Sequence, residues 1–249
     1  GWIIAASFST TREIFSNSVL ASGFHLENYT DAWKYNNVST YFKNSLMVTG
    51  ISCVLVLLIA CPASYVLEKK KFFGERLIMN STVTAMSIPQ VMLIIPIYIW
   101  FIKAKLVGHL ITLIILYTTL NVPYTVFYMT AFFSTIPSAF TEAAMIDGCN
   151  PVQTYFKIVF PIMKPTAISV AILETMWVWN DYLLPTLVLD IKKYRTIPMA
   201  IQYFRGSYGR VEMGPMMACI MITVLPIIVM YLVCQKYIID GVIAGAVKG

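Results

Sequence analysis

Long apolar runs separated by short polar segments make up most of this chain. A helix needs about 20 apolar residues to cross the hydrocarbon layer of a bilayer. By that measure the pattern predicts spans at 46–67, 77–102, 110–133, 165–189 and 213–237. The segment Trp2 to Phe8 has the composition of the last turns of a further span and lacks the basic flank of a signal peptide. We therefore expect residues before Gly1 to be missing, and we predict an all-α membrane protein with about six transmembrane helices, the first only partly present.

Composition supports the bilayer and excludes other settings. The chain is 58% hydrophobic and 12% charged, with a mean hydropathy of +0.73, which is more apolar surface than a soluble domain buries. The net charge of +6 is modest and spread along the chain, without a basic block interleaved with aromatics. We therefore expect membrane lipid and no nucleic acid as a partner, and a multi-pass membrane protein in one domain over 1–249.

The distribution of lysines predicts the orientation of the spans. The short loop 68–76 contains Lys69, Lys70, Lys71 and Arg76, which places it in the cytoplasm. The segments 10–43 and 190–212 are then external, and the tail 238–249 is cytoplasmic. Basic residues also fall in the second external segment, at Lys192, Lys193, Arg195, Arg205 and Arg210. A count of cations over all loops therefore does not settle orientation, which depends on the triple lysine and on the family resemblance given below.

The segment 134–161 has the pattern of a short helix-turn-helix between two spans. At helical spacing Glu142, Met145, Ile146 and Cys149 share one face. Ala143 and Ala144 are small enough to let another surface approach, and Gly148 ends the helix. Asn150 is a candidate cap for a second helix, with Pro151 at its first position and Gln153 as capping-box partner. The predicted apolar stripe of that second helix is Val152, Tyr155, Phe156, Val159 and Phe160.

These residues resemble a known family. The order Glu142-Ala143-Ala144, Gly148, Ile158 and Pro161 is similar to the EAA loop of permease subunits in ATP-binding-cassette (ABC) importers, although Phe160 stands where Leu is more usual. Further segments resemble the carbohydrate-uptake branch, in particular the maltose-type inner-membrane permeases: Leu26 to Tyr29, Asn44 to Leu46, Trp179-Asn180-Asp181-Tyr182-Leu183-Leu184-Pro185, Thr196 to Pro198 and Ala244 to Gly249. The resemblance therefore covers nearly the whole chain.

The resemblance implies a type I ABC importer permease architecture in the cell (plasma or inner) membrane, with a cytoplasmic EAA coupling helix-turn-helix at about 134–161. It also implies the partners: a homologous second permease subunit, two cytoplasmic ATPase subunits and an external sugar-binding protein, which touches 190–212. The residues implied in ATPase coupling are Glu142, Ala143, Ala144, Met145, Asp147 and Gly148. A tail reaching toward the ATPase subunits is implied for Gly245, Ala246, Val247, Lys248 and Gly249. The alternative for the loop is an amphipathic helix lying on lipid.

Motifs for chemistry are missing from the sequence. It has no G-x-x-x-x-G-K-[ST] loop to hold nucleotide phosphates, so we expect no enzyme activity and no cofactor in this chain, with ATP and Mg²⁺ held by the partner ATPase subunits. The two histidines, His25 and His109, lack neighbouring ligands at metal spacing, and we predict neither a metal site nor a catalytic residue. The five cysteines have the pattern of small core residues.

Polar residues inside a predicted span need a reason, because ionisable groups are costly in a bilayer. Carboxylates, amides and aromatic faces suit a sugar, which makes these side chains candidates for a substrate pathway or gate. The candidates are Glu174, Trp177, Asn180, Asp181, Asn121 and Tyr117, with Tyr124 and Gln90 as weaker ones. The alternatives are that Asp181 lies at the outer water interface, that Glu174 bonds to a partner helix, and that the second permease holds most sugar contacts.

The leading hypothesis is a permease subunit of an ATP-driven sugar or oligosaccharide importer, which forms half of the translocation pathway and transmits ATPase motion through the EAA loop. The rival is a proton-coupled secondary carrier that uses Glu174 or Asp181. Such carriers commonly contain internal repeats, and none is visible here. A third possibility, a membrane scaffold, predicts that the polar residues of the spans are dispensable.

Overall fold

The computed structural model describes residues 1–35, 37–202 and 212–246, and within these ranges the regular elements are helical. One isolated backbone bridge joins Gly108 to Leu189. The helices are α1 Trp2–Ser7, α2 Thr11–Phe15, α3 Glu27–Tyr35, α4 Val38–Lys69, α5 Glu75–Ser87, α6 Gln90–Lys103, α7 Leu110–Phe133, α8 Ala139–Ile146, α9 Pro151–Thr154, a π-helix Tyr155–Val159, α10 Phe160–Asn180, α11 Leu183–Val188, α12 Ile197–Gln202 and α13 Met213–Ala246.

Several of these helices have the length and composition of membrane spans. Among the described residues, four continuous helices qualify, at Val38–Lys69, Leu110–Phe133, Pro151–Asn180 and Met213–Lys236. A fifth is obtained if the bent pair α5 and α6 counts as one span. The predicted all-α membrane protein is thereby confirmed.

The predicted span at 77–102 is wrong as a single helix. Helices α5 and α6 meet at a bend of 102°. The cause is Pro89, which lacks a backbone N–H and forces the residue before it out of helical conformation. Ile88 accordingly has φ −81° and ψ 120°. The Tyr124 hydroxyl donates to the Met86 carbonyl at 3.3 Å, which gives one of the carbonyls at the end of α5 a partner.

The predicted span at 165–189 is wrong at both ends. The helical run begins at Pro151 and ends at Asn180, before a two-residue interruption at Asp181 and Tyr182. Asp181 Oδ1 accepts a hydrogen bond from the Leu183 backbone N–H at 2.9 Å. Aspartate commonly bonds the backbone two residues ahead in this way, and the bond competes with continuation of the helix.

The ends of other predicted segments also differ. Helix α4 begins at Val38, inside the segment 10–43 that we predicted to be external, and α2, α3 and α12 are short helices within the predicted external segments. Helix α13 continues through Ala246, so the described part of the predicted tail is helical. Residues 203–211 and Val247 to Gly249 lie outside the described residues. The assignment of each segment to one side of the membrane stays a prediction.

The chain divides into two compact units. The first comprises 1–49, 101–113 and 179–230, and the second comprises 50–100, 114–178 and 231–249. Helices α4, α6, α7, α10 and α13 contribute residues to both. The core of the first unit contains Ala32, Val38, Ile197, Ala218 and Cys219. The core of the second contains Cys61, Tyr65, Met129, Phe133, Ile136, Tyr155, Val159, Met163, Ala167 and Val170.

Close backbone approach in the first unit depends on Gly214. The Asn28 amide donates to the carbonyls of Ser7 and Ser9, at 3.0 and 2.9 Å. A Cβ at Gly214 lies 2.5 Å from the Ser9 carbonyl oxygen and 2.8 Å from the Asn28 amide. Glycine therefore permits α13 to begin against this buried pair.

We predict that Gly214→Ala destabilises the protein by about 1–3 kcal/mol, the range for forced overpacking. The added methyl group meets backbone oxygen, which cannot move aside as a flexible side chain does. Thermal unfolding of the purified protein in detergent measures the effect. Gly50→Ala is the matched control, because a Cβ there meets nothing within 4 Å and alanine favours the interior of α4. Equal melting temperatures for the two variants would contradict the prediction.

A buried carboxylate organises the segment between α1 and α3. Glu13 Oε2 accepts hydrogen bonds from the Thr10 backbone N–H at 2.7 Å and from the Thr10 hydroxyl at 2.9 Å. Its Oε1 accepts from the Ser22 backbone N–H at 2.5 Å and from the Ser22 hydroxyl at 2.8 Å. These bonds, the one from the Thr10 backbone first, lower the pKa of Glu13 from 4.5 to about 2.

Because the pKa is lower in the folded segment, the stabilisation from Glu13 is complete above pH 4.5 and is lost as the pH falls toward about 2. We predict that Glu13→Gln loosens residues 10–22 at neutral pH, since an amide replaces one acceptor oxygen with a donor. The rate of tryptic cleavage after Arg12 in the purified protein should rise. Asp31→Asn neutralises a carboxylate of α3 and should leave that rate unchanged; an equal rise in both variants refutes the role of Glu13.

Candidate functional site

The first helix of the predicted coupling segment ends as the sequence predicts. Helix α8 stops at Ile146, and Gly148 adopts φ +83°, a conformation that glycine accepts without strain. The Gly148 N–H donates to the Met145 carbonyl at 3.1 Å, and the Cys149 N–H donates to the Ala144 carbonyl at 2.9 Å. These two bonds form a Schellman motif. The turn after α8 is therefore held by its own backbone.

The second helix begins with the predicted capping box. The Gln153 N–H donates to Asn150 Oδ1 at 2.9 Å, and the Asn150 N–H donates to Gln153 Oε1 at 3.0 Å. Pro151 occupies the start of the helix, as predicted. Both helices of the segment therefore have satisfied ends facing the same turn.

The predicted apolar stripe of the second helix is only partly correct. Tyr155 and Val159 are buried, whereas Val152, Phe156 and Phe160 are exposed. The reason is the π-helix Tyr155–Val159. Its i→i+5 bonds widen the turn, so residues at the usual helical spacing no longer share a face. Nothing in the sequence pattern signals this change of register.

The underside of the segment packs into the core of the second unit. Ala144 and Thr141 of α8 are buried there. The Tyr155 ring lies 5.2 Å from the Tyr65 ring, and Tyr65 lies 5.7 Å from Phe133, measured between ring centroids. Packing of this kind transmits displacement because interiors are dense and deform little. We call the segment 139–159, from α8 through the π-helix, the elbow.

Lys69 of α4 forms a hydrogen bond with the segment that precedes the elbow. Its ammonium group donates a hydrogen bond to the Ile136 carbonyl at 2.7 Å. Ile136 is buried and lies three residues after the end of α7, and a cation near the C-terminus of a helix is favourable. The sequence analysis used Lys69 only for topology and missed this contact, which joins residues far apart in the sequence.

The outer side of the elbow carries most of the residues predicted for coupling. Glu142, Ala143, Met145, Asp147 and Gly148 are exposed, as is Ile146, of which 86% is accessible. Ala144 differs from the prediction that it is free for another surface, because its own chain covers it. The neighbouring Phe140, Val152 and Phe156 extend the exposed apolar surface.

The second candidate site is a cavity of about 500 Å³ in the second unit. This volume is within the range of about 300–1,000 Å³ found for small-molecule pockets. Its polar and aromatic walls include Gln90, Asn121, Tyr124, Thr125, Glu174 and Trp177. Thr125 was not predicted, although Asn121, Thr125 and Tyr128 follow one another at i, i+4 and i+7 on α7. That polar stripe in an apolar helix is the signal that could have identified it.

Glu174 is held firmly in the cavity wall, where it is only 7% exposed. The Thr125 hydroxyl donates to its Oε1. Its Oε2 has no hydrogen-bond partner among the described residues. The Asn121 amide donates to the Tyr117 carbonyl at 3.0 Å, and the Tyr117 ring meets the Trp177 ring edge-on at 5.8 Å. The structure therefore brings together Tyr117, Asn121, Glu174 and Trp177.

Three of the predicted pathway residues do not line this cavity: Tyr117, which is buried beside it, and Asn180 and Asp181. Asn180 is the last residue of α10, and Asp181 binds the Leu183 N–H after the helix ends. Both belong to the first unit. The neighbouring Trp179 donates to the Thr223 carbonyl at 3.1 Å and packs its ring 5.5 Å from Phe42. Of the predicted tail residues, Gly245 and Ala246 end α13, and Val247, Lys248 and Gly249 lie outside the described residues.

The ligand types that metals need are not clustered in the part of the chain that the structure describes. No group of three or more His, Cys, Asp or Glu side chains is close enough there to hold a metal ion. His25 instead forms a hydrogen bond with Glu27.

Comparison with known proteins gives matches along the whole chain. The family described as the binding-protein-dependent transport system inner membrane component matches residues 58–242. A probable starch degradation products transport system permease protein of Thermoanaerobacterium thermosulfurigenes is 34% identical, over 99% of this chain and 89% of that protein. A melibiose/raffinose/stachyose import permease protein of Bacillus subtilis is 29% identical, over 99% of this chain and 90% of that protein.

Solved structures match as well. A chain of a bacterial ABC transporter involved in the import of the acidic polysaccharide alginate aligns with a TM-score of 0.78 at 20% identity, covering 95% of this chain and 88% of that one. A chain of the MetNI methionine ABC transporter in inward-facing conformations aligns with a TM-score of 0.61 at 16% identity, covering 80% and 93%. At these identities the similarity concerns the fold.

We predict that Lys69→Met increases hydrogen exchange in residues 134–150, because the Ile136 carbonyl loses its donor and the link from α4 is cut. Loss of a hydrogen bond to a charged group reduces stability by about 1.5–3 kcal/mol. Hydrogen–deuterium exchange read by mass spectrometry measures it. Lys70→Met is the matched control, with the same loss of charge one residue further. Protection that is the same in both variants would contradict the role of Lys69.

Proposed function

Because this chain belongs to the family of inner membrane components of binding-protein-dependent transport systems, we propose that it is the permease subunit of an ATP-driven importer of sugars or oligosaccharides. It is a multi-pass plasma membrane protein with the type I ABC importer permease fold. The sugar class rests on the printed functions of its relatives, which include starch degradation products and melibiose, raffinose or stachyose. The observation that carries the proposal is the family match, which includes the whole elbow.

The family favours this function over a proton-coupled secondary carrier. The candidate proton carriers also differ in setting. Asp181 lies beyond the end of α10 and caps the next turn, which is a structural task. Glu174 lies in a cavity wall. There it can bind a solute by a hydrogen bond, which requires no proton transfer.

The chain is a transporter subunit and not an enzyme by itself. Its family implies ATPase and binding-protein partners. In the arrangement that we propose, two cytoplasmic ATPase subunits bind ATP and Mg²⁺, a homologous second permease completes the pathway, and an external sugar-binding protein touches 190–212. The tail from Gly245 to Gly249 reaches toward the ATPase subunits.

The elbow is proposed to receive the motion of the ATPase. A surface that is pushed must move as a body, and two capped helices around a Schellman turn, packed on Tyr155 and Ala144, meet that requirement. Glu142 and Gly148 mark the outer side of this body. Movement of the elbow is passed to α7, to α10 and, through Lys69, to α4, which alternates access to the pathway.

The exposed apolar residues of the elbow also fit the alternative, an amphipathic helix on lipid. Two features favour a protein partner. The exposed surface mixes Glu142 and Asp147 with Met145 and Ile146 rather than separating polar from apolar residues. The turn itself is fixed by backbone bonds, which a helix lying on lipid does not need.

The cavity of the second unit is proposed to form this subunit's half of the pathway. Trp177 offers a flat apolar face, and Asn121, Gln90 and Glu174 offer hydrogen bonds around it. Aromatic walls with a few polar groups are typical of small-molecule pockets. Asn180 and Asp181 are left with a role in ending α10 and starting α11.

We predict that Ile146→Asp reduces sugar uptake and sugar-stimulated ATP hydrolysis by at least about tenfold, because a charge placed in a buried apolar contact loses its hydration. Insertion and folding should be unchanged, since Ile146 is exposed in the subunit. The measurements are ATP-driven uptake and ATPase activity of the assembled complex in proteoliposomes. Phe73→Asp, at a fully exposed residue of the loop before α5, is the control and should behave as wild type.

A second measurement shows whether Ile146 contacts a protein or lipid. A photoreactive crosslinker on Ile146→Cys should join the permease to the ATPase subunit. Adducts with phospholipid alone, together with full coupling in Ile146→Asp, would refute ATPase docking at the elbow and favour the lipid alternative.

A further inference from the structure

The cavity of the second unit contains one buried polar atom without a partner. Glu174 Oε2 is covered at the wall and receives no hydrogen bond from the described residues. Buried carboxyl oxygens are normally hydrogen-bonded, because an unmet one loses its hydration without compensation. A partner supplied from outside the chain would remove this deficit.

A residue of α7 holds the carboxyl group of Glu174 beside the cavity. The Thr125 hydroxyl binds Oε1, and this contact joins two helices whose residues both line the cavity. The last torsion of a glutamate is soft, so a small rotation turns Oε2 toward a donor in the cavity while Thr125 follows. Trp177, Asn121 and Gln90 line the same cavity.

We propose that this subunit carries its own hydroxyl-binding subsite, centred on Glu174, and that the subsite accepts uncharged saccharides and rejects acidic ones. The inference rests on the proposed function and adds to it a specificity-determining residue. A sugar hydroxyl both donates and accepts, so it pairs with a carboxyl group in either protonation state. The C–H face of the same ring packs on Trp177.

Charge supplies the selectivity. Among the described residues that line the cavity, none is Lys, Arg or His, and Glu174 is the only carboxylic acid. A uronic acid placed there finds no cation to compensate its carboxylate, whether Glu174 is protonated or not. A charged group that loses its hydration without a partner is strongly disfavoured. The similarity to a chain of the alginate transporter therefore extends to the fold and, by this inference, not to the charge of the substrate.

The test uses the complete complex in proteoliposomes with its binding protein, and measures sugar transported per ATP hydrolysed. Probes are the uncharged trisaccharides raffinose and maltotriose and the anionic trigalacturonate. Wild type should take up an uncharged probe and not trigalacturonate. Glu174→Leu should lower sugar per ATP by about tenfold, the effect of one hydrogen bond with a charged partner, while ATPase stimulation by the binding protein persists.

Glu174→Gln keeps the shape and the bond to Thr125 and offers an amide N–H in place of Oε2. The sugar transported per ATP by Glu174→Gln should stay within about threefold of wild type. If only the charge of Glu174 mattered, this variant would lose as much transport as Glu174→Leu. Glu75→Gln, a carboxylate at the start of α5 and outside the cavity, is the control for charge and should match wild type. If Glu174→Leu does not fold, judged by gel filtration, Glu174→Met replaces it with an unbranched side chain.

The outcomes separate the two claims. Wild-type proteoliposomes that import no saccharide with ATP would overturn the proposed function. Import by wild type together with unchanged sugar per ATP in Glu174→Leu, or equal import of trigalacturonate, would overturn the subsite alone. Loss of transport in Glu174→Leu with rescue by Glu174→Gln supports it.

Discussion

The structure depends on one constraint, that backbone groups buried away from water must find partners within the protein. Helices meet this constraint by themselves, which is why the described chain is built from them. A helix that stops or bends leaves carbonyls or N–H groups open, and near three such places a side chain supplies a bond to the backbone. Tyr124 does so for Met86, Lys69 for Ile136, and Asp181 for Leu183.

The same constraint accounts for the stiffness of the elbow. A loop between two spans can be irregular outside the bilayer, where water satisfies its backbone. The elbow instead closes its own bonds through Gly148 and the Asn150–Gln153 capping box and buries Ala144 and Tyr155 beneath them. Such internal closure is of use to a segment that is pushed. The arrangement is therefore consistent with the coupling role that we propose for the elbow.

The two carboxylates Glu174 and Asp181 show how position decides the use of one chemical group. They stand seven positions apart in the numbering, and the sequence gives both the same candidacy. Asp181 is in a break, where it serves the backbone of Leu183. Glu174 is inside a continuous helix, so its carboxyl group is directed at a side chain and a cavity. Glu174 lines the cavity, and it is the carboxylate for which we propose a role in binding solute.

The sequence alone determined the features that depend on neighbouring residues or on composition. These are the helical class, most of the spans, the end of α8 at Gly148, and the cap at Asn150. Each follows from a local rule, since hydrophobic length, glycine conformation and capping geometry involve residues only a few positions apart. The helix breaks at Pro89 and Asp181 also depend on local residues. The sequence analysis missed them because it predicted spans from the length of the apolar runs, which continue through both positions.

Only the tertiary structure decided which polar residues meet. The Thr125–Glu174 bond joins residues 49 positions apart, and the Lys69–Ile136 bond joins residues 67 positions apart. The sequence analysis assigned Tyr155, Phe156 and Phe160 to one buried face. In the structure the π-helix buries Tyr155 and leaves Phe156 and Phe160 exposed. Such outcomes depend on how helices pack against each other, and no spacing within a single helix encodes the partner that another helix brings to it.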